Sequence, residues 1–108
     1  RIGNGTDAPV EDVDPIASLH ASVTRQPKKG PAFYPAQRMT RMEALRSYTV
    51  ANAYAAFEEG LKGTLSPGKL ADVVVLSKDL SSVPDEEILS TGVLATVVGG
   101  KVAFEKAK

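Results

Sequence analysis

Residues 62–80, "KGTLSPGKLADVVVLSKDL", mark the point where the sequence changes from helical to strand periodicity. Pro67-Gly68 is a turn signal, and the run from Val73 to Leu76 is apolar and mostly β-branched. A short apolar run after turn residues predicts a strand that is buried on both faces. We interpret Asp72, directly before the strand, as a structural acid that accepts hydrogen bonds from nearby turn N–H groups, and not as a catalyst.

Two more strands follow this first one. "GVLATVVGGKVAFEK" predicts strands at about residues 94–98 and 101–105, and Gly99-Gly100 between them is a two-residue hairpin signal. Between the first and second strands, "VPDEEIL" predicts a short helical turn with Pro84 near its start. The C-terminal part of the chain is therefore expected to form a small, mostly antiparallel sheet.

A short helix is predicted from Asp14-Pro15 to about Arg25. Aspartate is a good N-cap, and proline is tolerated at the first helical position because its missing N–H would have no partner there. Apolar residues at helical spacing continue the pattern: Ile16, Leu19 and Val23. His20 falls on or beside this apolar face, so we expect a packed or partly exposed helix residue and not a metal ligand.

"TRMEALRSYTVANAYAAFEEG", residues 40–60, predicts the longer helix. Thr40 and Glu43 have the spacing of a capping box, in which each side chain satisfies a backbone N–H at the helix start. Gly60 is the predicted C-terminal stop. The face expected to pack closely carries small residues and one aromatic: Ala44, Leu45, Tyr48, Ala51 and Ala55.

The segment between the two helices, "QPKKGPAFYPAQR", is predicted to be a loop because it holds three prolines and a glycine. Its cations, Lys28, Lys29 and Arg38, are interpreted as a solvated surface, with a phosphate or substrate-anion contact as the alternative. Aromatic residues are too few among them to indicate a nucleic-acid surface.

Composition limits the function classes further. The chain has 108 residues, a formal net charge of zero and no cysteine. It therefore offers one modest domain, no disulfide framework and no field that attracts nucleic acid or membrane. We expect a cytoplasmic protein, since neither a signal-peptide pattern nor a membrane-length apolar run is visible. With His20 as its single histidine, the chain cannot supply the ligands of a complete zinc site.

The fold class expected from these elements is α+β, with two helices followed by a small three-stranded, mostly antiparallel sheet. The two helices are available to cover one face of the sheet, but nothing in the sequence indicates what covers the other face or pairs with the edges. One hypothesis is therefore that a portion is missing. A second is an independent structural module that is completed by a partner or by self-association through its sheet edges.

Near the start of the chain, "GTDAPVEDVDP" places Asp7 between a Gly-Thr turn and Ala8-Pro9. An acid in this position is consistent with a metal ligand, a catalytic base, a turn residue or a helix cap. The pattern of residues alone favours a turn residue that caps the backbone near Ala8 or Pro9.

Several phrases taken in order resemble the amidohydrolase-3 group of metal-dependent amidohydrolases, which is also described as exoenzyme-regulatory or deformylase-like. The sequences that carry the resemblance are "GTDAPVEDVDPIASLHASVTR", "TRMEALRSYTVANAYAAFEE", "LKGTLSPGKLADVVVLSKDL" and the closing hairpin with "TVVGGKV". The resemblance extends from about residue 5 to residue 104.

The resemblance implies a (β/α)8 barrel beside a β-sandwich built from both ends of a longer chain. Residues 1–60 would be the end of the last barrel strand and the closing helices, and residues 61–108 the C-terminal share of the sandwich. Asp7 matches the family aspartate that touches the metal and takes a proton from the attacking water. The resemblance also implies one or two divalent ions, commonly zinc, and a small-molecule amide substrate.

The leading hypothesis is thus a C-terminal fragment of a metal-dependent hydrolase that acts on non-peptide carbon–nitrogen bonds. We expect the fragment to be inactive on its own and to hold no cofactor, because the histidine ligands of the family would lie upstream of Arg1. Nucleic acid and membranes are not expected partners.

Overall fold

The computed structural model describes residues 1–107 and has an α+β architecture. Its helices and strands are α1 (Pro15–Thr24), α2 (Arg41–Tyr48), α3 (Val50–Ala55), β1 (Val73–Leu76), β2 (Val93–Val98) and β3 (Lys101–Glu105), with 3₁₀ turns at Pro35–Gln37 and Asp85–Ser90. The predicted order of helices, antiparallel strands and an inserted helical turn is confirmed. The predicted loop before α2 is also confirmed, apart from its short 3₁₀ turn.

The first helix begins and ends as its sequence predicts. The Asp14 carboxylate accepts hydrogen bonds from the backbone N–H groups of Ile16 and Ala17, and Pro15 occupies the first turn. At the other end Arg25 adopts a left-handed conformation (φ 56°), and its N–H donates to the carbonyl of Ala21 at 2.8 Å. Both ends are therefore set by local hydrogen bonds.

The predicted long helix is two helices with a break at Thr49. Its start is as expected, because the Thr40–Glu43 capping box is formed in both directions. The N–H and the hydroxyl of Thr40 both donate to the Glu43 carboxylate, which lowers the pKa of Glu43. Thr49 departs from helical geometry (φ −119°, ψ −91°), and its hydroxyl donates to the Leu45 carbonyl at 2.9 Å. The Leu45 carbonyl thus accepts from a side chain in place of a backbone N–H, which is a known competitor of helical hydrogen bonding.

The prediction that Gly60 stops the helix is wrong. The last helical residue is Ala55, and Phe57 takes a left-handed conformation (φ 58°) two residues later. The break at Thr49 also changes the packed face, since Ala44 and Ala51 are buried as predicted whereas Ala55 is exposed. Sequence spacing assumes one continuous helix, and the face shifts where that continuity ends.

The hydrophobic core lies between α1, α2 and the segment that follows β1. We call it the helical core, and its buried members are Leu19, Val23, Ala44, Leu80 and Ile88. Arg41, at the start of α2, attaches that segment to the helix. Its guanidinium donates to the carbonyls of Leu80 at 3.0 Å and Val83 at 2.8 Å and pairs with Asp85. We call these contacts the Arg41 clasp.

The strands form an antiparallel sheet in the order β1-β2-β3. The predicted hairpin is confirmed, because Gly99 and Gly100 have φ values of 56° and 78°. The Asp72 carboxylate accepts a hydrogen bond from the Gly99 N–H at 2.8 Å, which confirms the structural role predicted for this acid. Asp72 thereby links the start of β1 to the β2–β3 turn, which lies at the same end of the sheet.

The prediction that β1 is buried on both faces is wrong within residues 1–107. Val74 and Val75 are 52% and 46% exposed, and every residue of β3 is exposed. The reason is that the helices pack on one another and on the Asp85–Ser90 turn, and contacts between helices and sheet are sparse in this part of the chain. No helix in residues 1–107 has the length and apolarity needed to cross a bilayer.

Candidate functional site

Asp7 lies in a tight turn at the end of the N-terminal segment. Its backbone is left-handed (φ 60°), and its carbonyl accepts hydrogen bonds from the N–H groups of Val10 at 2.9 Å and Glu11 at 3.2 Å. The Ala8–Pro9 peptide bond is cis. The side chain is exposed. Asp7 is therefore in a turn, as expected, but the Asp7 carbonyl closes it, and the carboxylate makes no hydrogen bond or ion pair within residues 1–107.

The segment before Asp7 is attached to the helices through Asn4. The Asn4 N–H donates to the Ser47 carbonyl at 3.0 Å, and the Asn4 side-chain amide donates to the Ser22 hydroxyl at 2.8 Å. The Asn52 amide donates to the Asn4 carbonyl at 2.8 Å. We call these four residues the Asn4 node. It joins the N-terminal segment to α1, α2 and α3, and sequence patterns alone did not reveal it.

A glycine makes room for the node. A Cβ on Gly3 would come within 2.5 Å of the Asn52 side-chain oxygen, so a larger residue there would force either the Asn52 side chain or the N-terminal segment to move. The Asn52–Asn4 contact thus depends on a glycine directly before Asn4. A Gly-Asn pair is common in turns, which is why it is not a distinctive signal in the sequence.

The residues of this chain do not by themselves fit a catalytic metal. No group of three or more histidine, aspartate or glutamate side chains that could hold an ion occurs within residues 1–107. Zinc sites in proteins use three or four protein ligands, and here Asp7 offers one carboxylate. His20, the single histidine, is a half-buried residue of α1, as expected for a packed helix residue.

Two arginines stabilise the basic loop between α1 and α2: Arg25, at the end of α1, and Arg38, in the loop itself. Arg25 donates to the Phe33 carbonyl at 3.0 Å and lies 5.4 Å from the centre of the Phe33 ring. Arg38 donates to the Pro35 carbonyl at 3.1 Å. Lys28 and Lys29 are exposed at the tip. These contacts are those of a structural connection.

A cleft of about 440 Å³ separates α3 from the start of β1. It is lined by Tyr48, Asn52, Lys62, Asp72 and Val74, among others. Lys62 pairs with Glu58 there, and the hydrogen bond and charge of Glu58 raise the pKa of Lys62. A second cleft of about 830 Å³ lies beside Arg1 and Ile2. Asp7 lines neither of these two clefts.

Comparison with known proteins places these features in context. The model of a family described as "Amidohydrolase family" matches residues 1–104. Protein LONG AFTER FAR-RED 3 of Arabidopsis thaliana is 43% identical over 101 residues, which are 93% of this chain and 17% of that protein. No solved structure gives a significant match.

Two bacterial relatives carry names that describe chemistry. YtcJ of Bacillus subtilis (strain 168), named as an amidohydrolase, and the N-substituted formamide deformylase of Arthrobacter pascens are each 29% identical over 106 residues. These matches cover 95% and 98% of this chain and 20% of each relative. The chain thus spans about a fifth of the length of the curated relatives it matches.

Proposed function

The chain belongs to the amidohydrolase family, and from this we propose that it is the C-terminal part of a metal-dependent hydrolase. The whole protein would hydrolyse a non-peptide carbon–nitrogen bond in an amide or formamide. The observation that carries the proposal is the family match over residues 1–104, in a chain that spans only 17–20% of its relatives. The name of the Arthrobacter pascens relative, an N-substituted formamide deformylase, supports the substrate class.

We propose that the two parts of the chain belong to two parts of the whole protein. Residues 1–60 would be the end of the last strand of a (β/α)8 barrel and its closing helices, and residues 61–108 would be a share of a β-sandwich. The exposed sheet supports this division, because Val74, Val102 and Phe104 are 52%, 64% and 49% exposed. Apolar strand residues of this kind are normally covered by a second layer.

Within this proposal Asp7 is the residue that the chain contributes to catalysis. A carboxylate at the C-terminal end of a barrel strand is where such enzymes place reactive groups. Asp7 would take the proton from the attacking water, a role that suits an exposed carboxylate with no competing ion pair within residues 1–107. A divalent ion, commonly zinc, would have to be held mainly by residues outside this chain. The 108-residue chain alone would therefore be inactive.

The proposal is tested in the longer protein that carries this chain. Asp7→Asn keeps the size of the side chain and removes its basicity, so turnover of an N-alkyl formamide should fall by about 10²–10⁴-fold. Asp12→Asn, an exposed acid in the same acidic segment, is the matched control and should change turnover less than twofold. Equal rates for the Asp7 variant and the unmodified protein would overturn the role of Asp7.

Absence of amide or formamide hydrolysis by the unmodified, metal-loaded protein would overturn the proposed activity itself. The same assay run on the 108-residue chain tests the inactivity of the isolated part. Turnover by that chain with stoichiometric metal would contradict the proposal that its partners in catalysis lie elsewhere.

A second candidate function is an interaction module, and the exposure of β3 is the observation that favours it. In this case the chain would complete its sheet with a partner or a second copy. Sedimentation at several concentrations measures this directly: a concentration-dependent dimer supports the module, and a monomer throughout counts against it. Neither nucleic acid nor membrane is a proposed partner, because the formal net charge is zero.

A further inference from the structure

We propose that Asn52 is a positioning residue for Asp7, acting at a distance through the Asn4 node. The inference rests on the proposed function, because it assigns Asn52 a task in the same catalytic site. Asn52 lies in α3 and contacts the N-terminal segment through one hydrogen bond, from its side-chain amide to the Asn4 carbonyl at 2.8 Å. It is 48 residues from Asn4 in the chain.

The N-terminal segment depends on the node for its place. Residues 1–6 form no strand ladder within residues 1–107, so the usual support of an extended segment is missing there. Instead the backbone N–H, the carbonyl and the side-chain amide of Asn4 each bond a different helix. Because its three bonds go to three helices, Asn4 fixes the position and the orientation of the segment relative to them.

The partners of Asn4 are themselves rigid. Ser47 is 2% exposed, and its hydroxyl donates to the Ala44 carbonyl at 2.6 Å inside α2. The Ser22 hydroxyl donates to the Ser18 carbonyl at 3.0 Å inside α1, so that oxygen is oriented to accept from Asn4. Asn52 completes the set from α3, and Gly3 leaves the room that this contact needs.

The node controls Asp7 because little chain separates them. Gly5 and Thr6 lie between Asn4 and Asp7, and beyond Asp7 the chain closes at once into the turn to Val10. Movement of Asn4 is therefore expected to move the Asp7 carboxylate. Displacement of a catalytic group by about 1 Å costs on the order of 10²-fold in rate, so a lost anchor should be visible in turnover.

The test uses Asn52→Asp in the longer protein that carries this chain. Aspartate has nearly the same shape but cannot donate to the Asn4 carbonyl when ionised, so the anchor is lost without a cavity. The matched control is Ala55→Asp, which adds the same charge at an exposed position of the same helix. With an N-alkyl formamide as probe, we expect kcat to fall about 10–100-fold for the Asn52 variant, with KM and bound metal within twofold.

The control should stay within twofold in all three quantities, and Asn52→Gln, which keeps an amide donor, should recover part of the loss. An unchanged kcat in Asn52→Asp would overturn the inference. So would a fall in kcat that is matched by loss of bound metal or by the fraction of protein unfolded, because that is the signature of a merely structural role.

A second readout separates this inference from the proposed activity. Amide hydrogen exchange of residues 4–11 is measured in both variants, and no substrate is needed. Loss of one anchoring hydrogen bond should speed exchange there roughly fivefold in Asn52→Asp, with residues 80–91 unchanged. If the protein does not hydrolyse the probe but exchange responds in this way, the proposed function fails and the anchor stands. Unchanged exchange overturns the anchor whatever the activity.

Discussion

Ile88 and Val102 are both aliphatic residues in the C-terminal half of the chain, yet the first is 0% exposed and the second 64%. Ile88 belongs to the helical core, which is closed by α1, α2 and the segment after β1. Val102 belongs to the sheet, whose strands bond one another but whose faces have little cover within residues 1–107. The helical region thus completes its own packing, whereas the sheet region is satisfied in hydrogen bonding only.

This difference shows that hydrogen bonding between strands does not by itself bury the side chains of those strands. A hairpin can be specified by two glycines and a strand register, while its apolar side chains still need a second layer. If the two regions depend on different interactions, substitutions in the helical core should cost more free energy of unfolding than substitutions in the sheet.

The largest effect is expected for Ile88→Ala in the helical core. Removing a fully buried side chain leaves a cavity, so the free energy of unfolding of the chain should fall by about 2–5 kcal/mol in urea. Leu89→Ala, at a neighbouring residue that is 58% exposed, is the control and should stay within about 0.5 kcal/mol. Equal losses for the two variants would mean that the helical core is not closed.

Arg41→Met should have the next largest effect. Methionine preserves much of the aliphatic stem, but the carbonyls of Leu80 and Val83 lose their donor. We expect a loss of about 1–3 kcal/mol in the free energy of unfolding, the range for polar groups left without a partner. Arg46→Met, at an exposed position of the same helix, should change stability little. A matching loss there would show that helix charge, and not the Arg41 clasp, is responsible.

A smaller effect is expected for Gly99→Ala in the hairpin. The substituted residue keeps its N–H to Asp72, but its left-handed φ of 56° disfavours a Cβ by about 1 kcal/mol. Gly60→Ala is a matched control, because Gly60 has open space around it and needs no left-handed backbone. Thermal unfolding should separate the two variants, and identical midpoints would contradict a turn-controlled sheet.

The smallest effect in the isolated chain is expected for Val102→Thr. The change keeps a β-branched side chain at an exposed position, so it should alter the free energy of unfolding by no more than about 0.5 kcal/mol. In the longer protein the same change should cost about 1–3 kcal/mol if a second layer covers this strand, because a hydroxyl would then be buried. Equal small effects in both proteins would argue against a covering layer.

Local features of this molecule were predictable from the sequence, and non-local ones were not. The Asp14 cap, the Thr40–Glu43 box and the Gly99-Gly100 turn each depend on residues within four positions of one another, so a short pattern contains all the information they need. The structural role of Asp72 was also predictable, but its partner Gly99, 27 positions away, was not.

The failures have more than one physical cause. Burial of Val74 depends on which other element packs against the strand, and the residues of the strand do not reveal that element. The break at Thr49 follows from one side-chain hydrogen bond that competes with an otherwise strong helical pattern. The Asn4 node joins residues that are 18 and 48 positions apart, and only the assembled helices bring them together. The catalytic role of Asp7 stays a prediction.

The hydrogen bond from Arg41 to the Val83 carbonyl joins residues 42 positions apart, so its two partners are synthesised at different times. Ribosomes add about 5–20 residues each second, so about 2–8 s pass between synthesis of Arg41 and of its acceptor. During that interval α1 and α2 have been made, but Leu80 and Ile88, which complete their core, have not. A nascent chain paused before Ile88 should therefore display the apolar face of α1 to chaperones, and the face should close once the ribosome moves on.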